Sequence, residues 1–266
     1  MPQSTPATSG LTLAFDGPIA TLTMVNPARR NAMTAAMWGA LPALVGQASA
    51  NPEVRVLILR GAGTESFCAG ADISEFATAR AGDAVHTYDA LNHAAFEALT
   101  ACPKPTIAMI HGFCMGGGLG LALACDLRMS SESGQFALPP AKLGIGYNPR
   151  WIGPILRTIS PASAKLILFT GRRFNADDAL AMGLITEIVP GEILEPITLA
   201  LANEIAANAP LSVACAKATI DEYWQPSAPA DAAKIDRLVK ACFESEDYAE
   251  GRNAFLDKRK PHFNGR

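Results

Sequence analysis

The chain has 266 residues, 49% hydrophobic and 18% charged, enough for one large domain or one domain with an appendage. A net charge of −3 gives no electrostatic case for nucleic acid or an anionic membrane surface. No unbroken apolar run reaches the ~18 residues of a membrane span, and the six cysteines show no C-x-x-C spacing, which points to reduced, buried thiols in a cytoplasmic protein.

Residues 1–9 have no basic start and no apolar stretch, so a flexible tail is expected there rather than a signal peptide. Residues 11–15 and 18–25 read as strands around the turn Asp16-Gly17-Pro18. A helix is predicted from Asn31 to Ala48, ended by Asn51-Pro52, and a buried strand from Val54 to Arg60. A glycine-punctuated loop, 61–72, leads to a helical region at 74–101 with a break near Gly82. Strand 106–110, a glycine cluster, an Ala/Leu-rich helix and a strand at 126–131 follow. Leu143 to Pro149 reads as loop, and Ser160 to Thr170 and Ala176 to Met182 as helices. Ile185 to Val189 is a short strand, and 192–208, 210–224 and 229–256 read as helix. The alternation predicts an α/β fold with a largely parallel sheet over residues 10–195, and a C-terminal helical region over 196–266.

Two loops carry the chemical signal. One is Ser66-Phe67-Cys68-Ala69-Gly70-Ala71-Asp72-Ile73, after the strand 54–60. The other is His111-Gly112-Phe113-Cys114-Met115-Gly116-Gly117-Gly118-Leu119-Gly120, which opens a helix. Glycines let backbone N–H groups approach a ligand, and the helix adds the positive end of its dipole. Two such loops after consecutive strands can hold one negative oxygen between them. Packing glycines alone would explain one loop more readily than two. A dinucleotide site is disfavoured, because the cluster 116–121 ends in Leu121 where G-x-G-x-x-G needs glycine. No P-loop and no G-x-S-x-G elbow occurs, and His86, His93, His111 and His262 are too scattered to suggest a metal site.

These segments, with Asn26-Pro27-Ala28-Arg29-Arg30-Asn31-Ala32, Ala124-Cys125-Asp126, Thr170-Gly171, Ala179 to Leu184 and Glu250 to Arg259, resemble the crotonase (enoyl-CoA hydratase/isomerase) superfamily over most of the chain. The resemblance implies a spiral of ββα units, trimers or dimers of trimers, and an acyl-CoA thioester as substrate. Coenzyme A enters as part of that substrate, with no metal or redox cofactor. By the same resemblance, the N–H groups of Ala71 and Gly117 form an oxyanion hole for the thioester oxygen. Arg29 and Arg30 meet the CoA phosphates, Ala69, Asp72 and Ile73 lie on the loop that meets the adenine, and Lys260 and Phe263 lie in a tail near CoA.

The chain departs from the hydratases of that superfamily at their two catalytic glutamates. It has Gly120 three residues beyond the oxyanion glycine, and Pro140 in the loop Leu138-Pro139-Pro140-Ala141-Lys142. Neither can move a proton, so ordinary hydration is not expected. The loop Gly144-Ile145-Gly146-Tyr147-Asn148-Pro149 resembles that of methylmalonyl-CoA decarboxylase, as does Ser245 to Leu256. Tyr147 is thereby a candidate to orient a carboxylate or protonate carbon, or else a wall of the pocket. Asn148 stands where dehalogenase and dienoyl-isomerase relatives carry aspartate, which argues against both reactions. The leading expectation is a lyase that stabilises a thioester enolate by decarboxylating a small carboxyacyl-CoA. The alternatives are a hydratase or isomerase using another acid, and a non-catalytic acyl-CoA binder.

Overall fold

The structure, a computed structural model, describes residues 3–4, 10–75, 84–143, 149–224, 233–234, 237, 240–241, 244–257 and 259–266. In chain order the strands and helices begin with β1 (Gln3–Ser4), β2 (Leu11–Asp16), β3 (Ile19–Met24), α1 (Ala35–Ala50), β4 (Val56–Gly61), β5 (Ser66–Cys68) and α2 (Ala84–Thr100). Then come β6 (Thr106–Ile110), β7 (Phe113–Met115), α3 (Gly117–Ala124), β8 (Leu127–Ser131), β9 (Gln135–Ala137) and α4 (Pro149–Thr158). The rest are α5 (Pro161–Thr170), β10 (Phe174–Asn175), α6 (Ala176–Met182), β11 (Glu187–Val189), α7 (Leu194–Ala206), α8 (Pro210–Tyr223) and α9 (Glu246–Leu256).

Two sheets organise these elements. The larger has the order β1-β2-β3-β4-β6-β8-β11, and it is parallel from β3 onward. The smaller has the order β10-β9-β7-β5, with β5, β7 and β9 parallel. The chain thus repeats one unit: a strand in the large sheet, a short strand in the small one, then a helix. β4-β5-α2, β6-β7-α3 and β8-β9-α4 are three successive copies. This is the expected ββα spiral. One core lies between the large sheet and α1 to α3, centred on Trp38, Phe67, Leu119 and Phe136. A second lies on the opposite face, where Leu194 and Ala202 of α7 cover Ile58, Ile107 and Met109. The helix α7 begins at Leu194, beside the expected division at residue 195, and packs on the large sheet.

Several sequence expectations are corrected. Gln3 and Ser4, expected in a flexible tail, pair antiparallel with β2. α1 starts at Ala35 rather than Asn31, because Thr34 Oγ1 caps it by accepting from Met37 N at 3.2 Å. Arg30 and Asn31 instead adopt left-handed backbone, with φ of 52° and 56°. The small sheet is absent from the sequence reading because its strands are two or three residues long, too short for a period-2 pattern. α4, left unassigned beyond Pro149, carries Pro154 inside it, which masks a helical pattern.

Asn31 shows why a left-handed residue sits at this point. It is buried, and its Nδ2 donates to Ala62 O at 2.9 Å and Ser66 O at 2.7 Å while its Oδ1 accepts from Asn26 N. It therefore ties the segment before α1 to the chain between β4 and β5. Asn31→Ala would strand one buried and one half-buried carbonyl and leave alanine at positive φ, so a stability loss of about 2–3 kcal/mol is expected by urea denaturation.

Candidate active site

The two segments singled out in the sequence contain β5 and β7 of the small sheet, and their glycine-rich turns follow those short strands. They meet edge to edge. An ideal Cβ on Gly70 would lie 3.5 Å from Gly117 N, and one on Gly117 would lie 3.9 Å from Ala71 N. Gly118 comes closer still: a Cβ there would lie 2.3 Å from the Cys68 carbonyl oxygen. Only glycine permits that approach of α3 to β5.

Several amides around the meeting point are engaged. Ala69 N–H donates to Arg30 O at 3.0 Å, Gly70 N–H to Cys68 Sγ at 3.4 Å, Asp72 N–H to Met33 O at 2.9 Å and Gly116 N–H to Ala137 O at 2.9 Å. The Ala71 and Gly117 amides make no such bond to the described residues. Gly117 is the first residue of α3, where an N–H has no intrahelical partner. Both residues are half-buried. The arrangement can hold a single anionic oxygen with backbone donors.

The first loop is pinned in place from α1. Met33 N donates to Gly70 O at 2.8 Å, and Glu75 Oε2 accepts from Ala35 N at 2.7 Å at the start of α1. Arg29 and Arg30 stand exposed on the turn that precedes this segment. The Arg30 guanidinium lies 4.5 Å over the Phe113 ring, and Arg173 lies 5.4 Å from the same ring. Ala69 is half-buried beside them, and Ile73 begins a single 3-10 turn. Lys260 and Phe263 are placed elsewhere. Phe263 O accepts from Arg55, just before β4, whereas the loops follow the opposite ends of the strands. Tyr147 lies outside the described residues.

Among the described residues, side chains capable of proton transfer are few at the meeting point. Gly120 faces the Phe96 ring, and Pro140 sits in a 3-10 turn after β9. Burial pushes the Cys68 thiol up to about 12, so it offers no thiolate at neutral pH. His93 pairs with Glu97 at 3.0 Å on α2, and His86 is exposed. Asp126, in the Cys-Asp pair of the sequence, is a structural tie. Its Oδ2 accepts from Thr106 N at 2.7 Å and Lys217 Nζ at 2.7 Å, which joins β6 to α8.

Asp72 is the one carboxylate on the first loop beside Ala71. The Ser74 hydroxyl, donating at 2.7 Å, holds its pKa below the usual aspartate value, helped by Ser74 N–H, by Arg29 and by Asn26. A carboxyl held low in the fold stabilises it above the unfolded pKa of about 3.9, and that contribution is lost as pH falls through the lowered value. Ser74→Ala should raise the Asp72 pKa toward the ordinary value in an NMR titration, and urea midpoints should then show a shallower loss of stability below about pH 4 than in the wild type.

Comparison with known proteins agrees with this geometry. The sequence pattern of the enoyl-CoA hydratase/isomerase family matches residues 14–266. A short-chain-enoyl-CoA hydratase of Clostridium acetobutylicum is 32% identical over 250 residues, covering 93% of this chain and 95% of that protein. Methylmalonyl-CoA decarboxylase of Escherichia coli is 34% identical over 217 residues, covering 80% and 82%. A crystal structure of an enoyl-CoA hydratase/carnithine racemase from Magnetospirillum magneticum superposes with a TM-score of 0.93 at 39% identity, covering 98% of this chain and 97% of that one. The chain is therefore a member of the enoyl-CoA hydratase/isomerase family, within the crotonase superfamily of acyl-CoA enzymes.

Proposed function

We propose that this enzyme decarboxylates a small carboxyacyl-CoA by stabilising the thioester enolate. The observation that carries the reading is a pair of unengaged amides, Ala71 and Gly117, flanked by glycine and proline where hydratases of the family keep their glutamates. Loss of CO₂ leaves an electron pair on the α-carbon, which delocalises onto the thioester oxygen. Two preorganised N–H donors stabilise that charge, each lowering the barrier by about 3 kcal/mol. No water has to be activated, so neither Gly120 nor Pro140 is a deficiency. The released α-carbon takes a proton, for which Tyr147 is the sequence candidate.

The rest of the substrate is assigned in the same spirit. Arg29 and Arg30 carry the charge for the CoA phosphates, and Ala69, Asp72 and Ile73 line the adenine side. Lys260 and Phe263 lie away from their own chain's loops, which supports a role toward the CoA of a neighbouring subunit. We take the enzyme to be a homotrimer or a dimer of trimers, supported by exposed Phe169, Ile220, Tyr223 and Trp224. Light scattering should give a mass of three or six chains, and a monomer would remove this part of the reading.

A second reading, enoyl-CoA hydration or isomerisation with a different acid, is favoured by the names of relatives such as the Clostridium hydratase. One pair of assays separates the two. Methylmalonyl-CoA or ethylmalonyl-CoA should lose CO₂, while crotonyl-CoA should hydrate slowly or not at all. Fast crotonyl-CoA hydration would reverse the assignment, and thioester binding without turnover would indicate a binder. Tyr147→Phe should lower the decarboxylation kcat by about 10²-fold or more with little change in KM. An unchanged kcat would remove Tyr147 from the mechanism.

A further inference from the structure

Gly117 and Gly120 are one turn apart on α3 and share a face of the helix. That face is lined by aromatic rings. A Cβ on Gly117 would lie 3.0 Å from Trp38 Cζ2, and a Cβ on Gly120 only 2.7 Å from Phe96 Cζ. Trp38 and Phe96 meet edge to face at 5.5 Å, and Phe96 meets Trp151 in the same manner at 6.3 Å. Trp38 is fully buried and donates from Nε1 to the Tyr88 hydroxyl at 3.1 Å, so it cannot yield. Phe96 is half-buried, and of the two rings against α3 it is the one with surface left to meet a ligand. It is confined between Trp38, Trp151 and the α3 backbone.

We propose that Phe96 is the acyl-size filter of this site and restricts it to CoA thioesters of short acyl groups. The inference rests on the reading of Ala71 and Gly117 as donors to the thioester oxygen. An acyl chain leaving a carbonyl held at Gly117 runs along the face that includes Gly120, about 5 Å further on. There it meets the edge of the Phe96 ring, whose retreat is blocked on both sides. Gly120 is the complement of that ring, since any side chain at 120 would have to displace it. The same packing explains why restoring a carboxylate at 120 alone would not install hydration: Phe96 already fills the place.

The test compares acetyl-CoA and hexanoyl-CoA, both saturated and without a carboxyl to lose, by calorimetry, with free CoA as reference. The wild type should bind acetyl-CoA at least about tenfold more tightly than hexanoyl-CoA. Phe96→Ala should abolish or invert that ratio, and the more conservative Phe96→Leu should shift it about threefold or more in the same direction. A ratio unchanged in both variants, with CoA affinity retained, overturns the filter while leaving the site reading intact. If the wild type binds neither thioester better than free CoA, the site reading fails and the filter falls with it. A wild type that prefers hexanoyl-CoA also overturns the proposal.

Discussion

The structure depends on one backbone approach: the first turn of α3 lies against the carbonyl of Cys68, with Gly118 leaving no room for a methyl group between them. This contact brings the ends of two neighbouring ββα units together, and with them the amides of Ala71 and Gly117. β5, β7 and β9 are only three residues long, yet they deliver successive chain segments to the same edge. The large sheet and its two cores hold these short strands in register from behind.

Around that contact the chain separates polar and apolar duties. The backbone supplies the hydrogen-bond donors, which need no side-chain ordering and carry no titration. The side chains nearest them on α1 and α2 are Trp38 and Phe96, which exclude water and define shape. Charge is kept to the rim, in Arg29 and Arg30. Asp72 sits between these zones, and its carboxylate is occupied in holding its own loop through Ser74.

Much of the fold was legible in the sequence. The long buried strands 56–61 and 106–110 and the capped helix α5, with Ser160 at its start and Gly171 past its end, stand out because each follows from a local rule. Ala71 and Gly117 were legible as a candidate oxyanion pair through the neighbouring glycines and through family resemblance. What escaped was non-local or too short to have a period. The small sheet has no signal of its own, since two or three residues show no alternation. The left-handed turn at Asn31, which keeps 31–34 out of α1, is supported by carbonyls more than thirty residues away. Phe96 read as one apolar position on a helix, and nothing local marks it as the ring that meets Gly120.

The sequence by itself determined the α/β class and the two glycine loops, because glycine spacing, strand hydrophobicity and helix caps act within a few residues, and the ββα spiral was expected from family resemblance. The sequence also determined the absence of glutamate at 120 and 140, which is a matter of covalent identity. Only the tertiary structure decided that Ala71 and Gly117 face each other, that Phe96 occupies the room beside Gly120, and that Phe263 lies at the far end of β4. Those outcomes depend on which distant segments share a volume. Packing settles that, because two groups cannot fill the same space and a buried donor or acceptor must find its partner wherever the chain brings one.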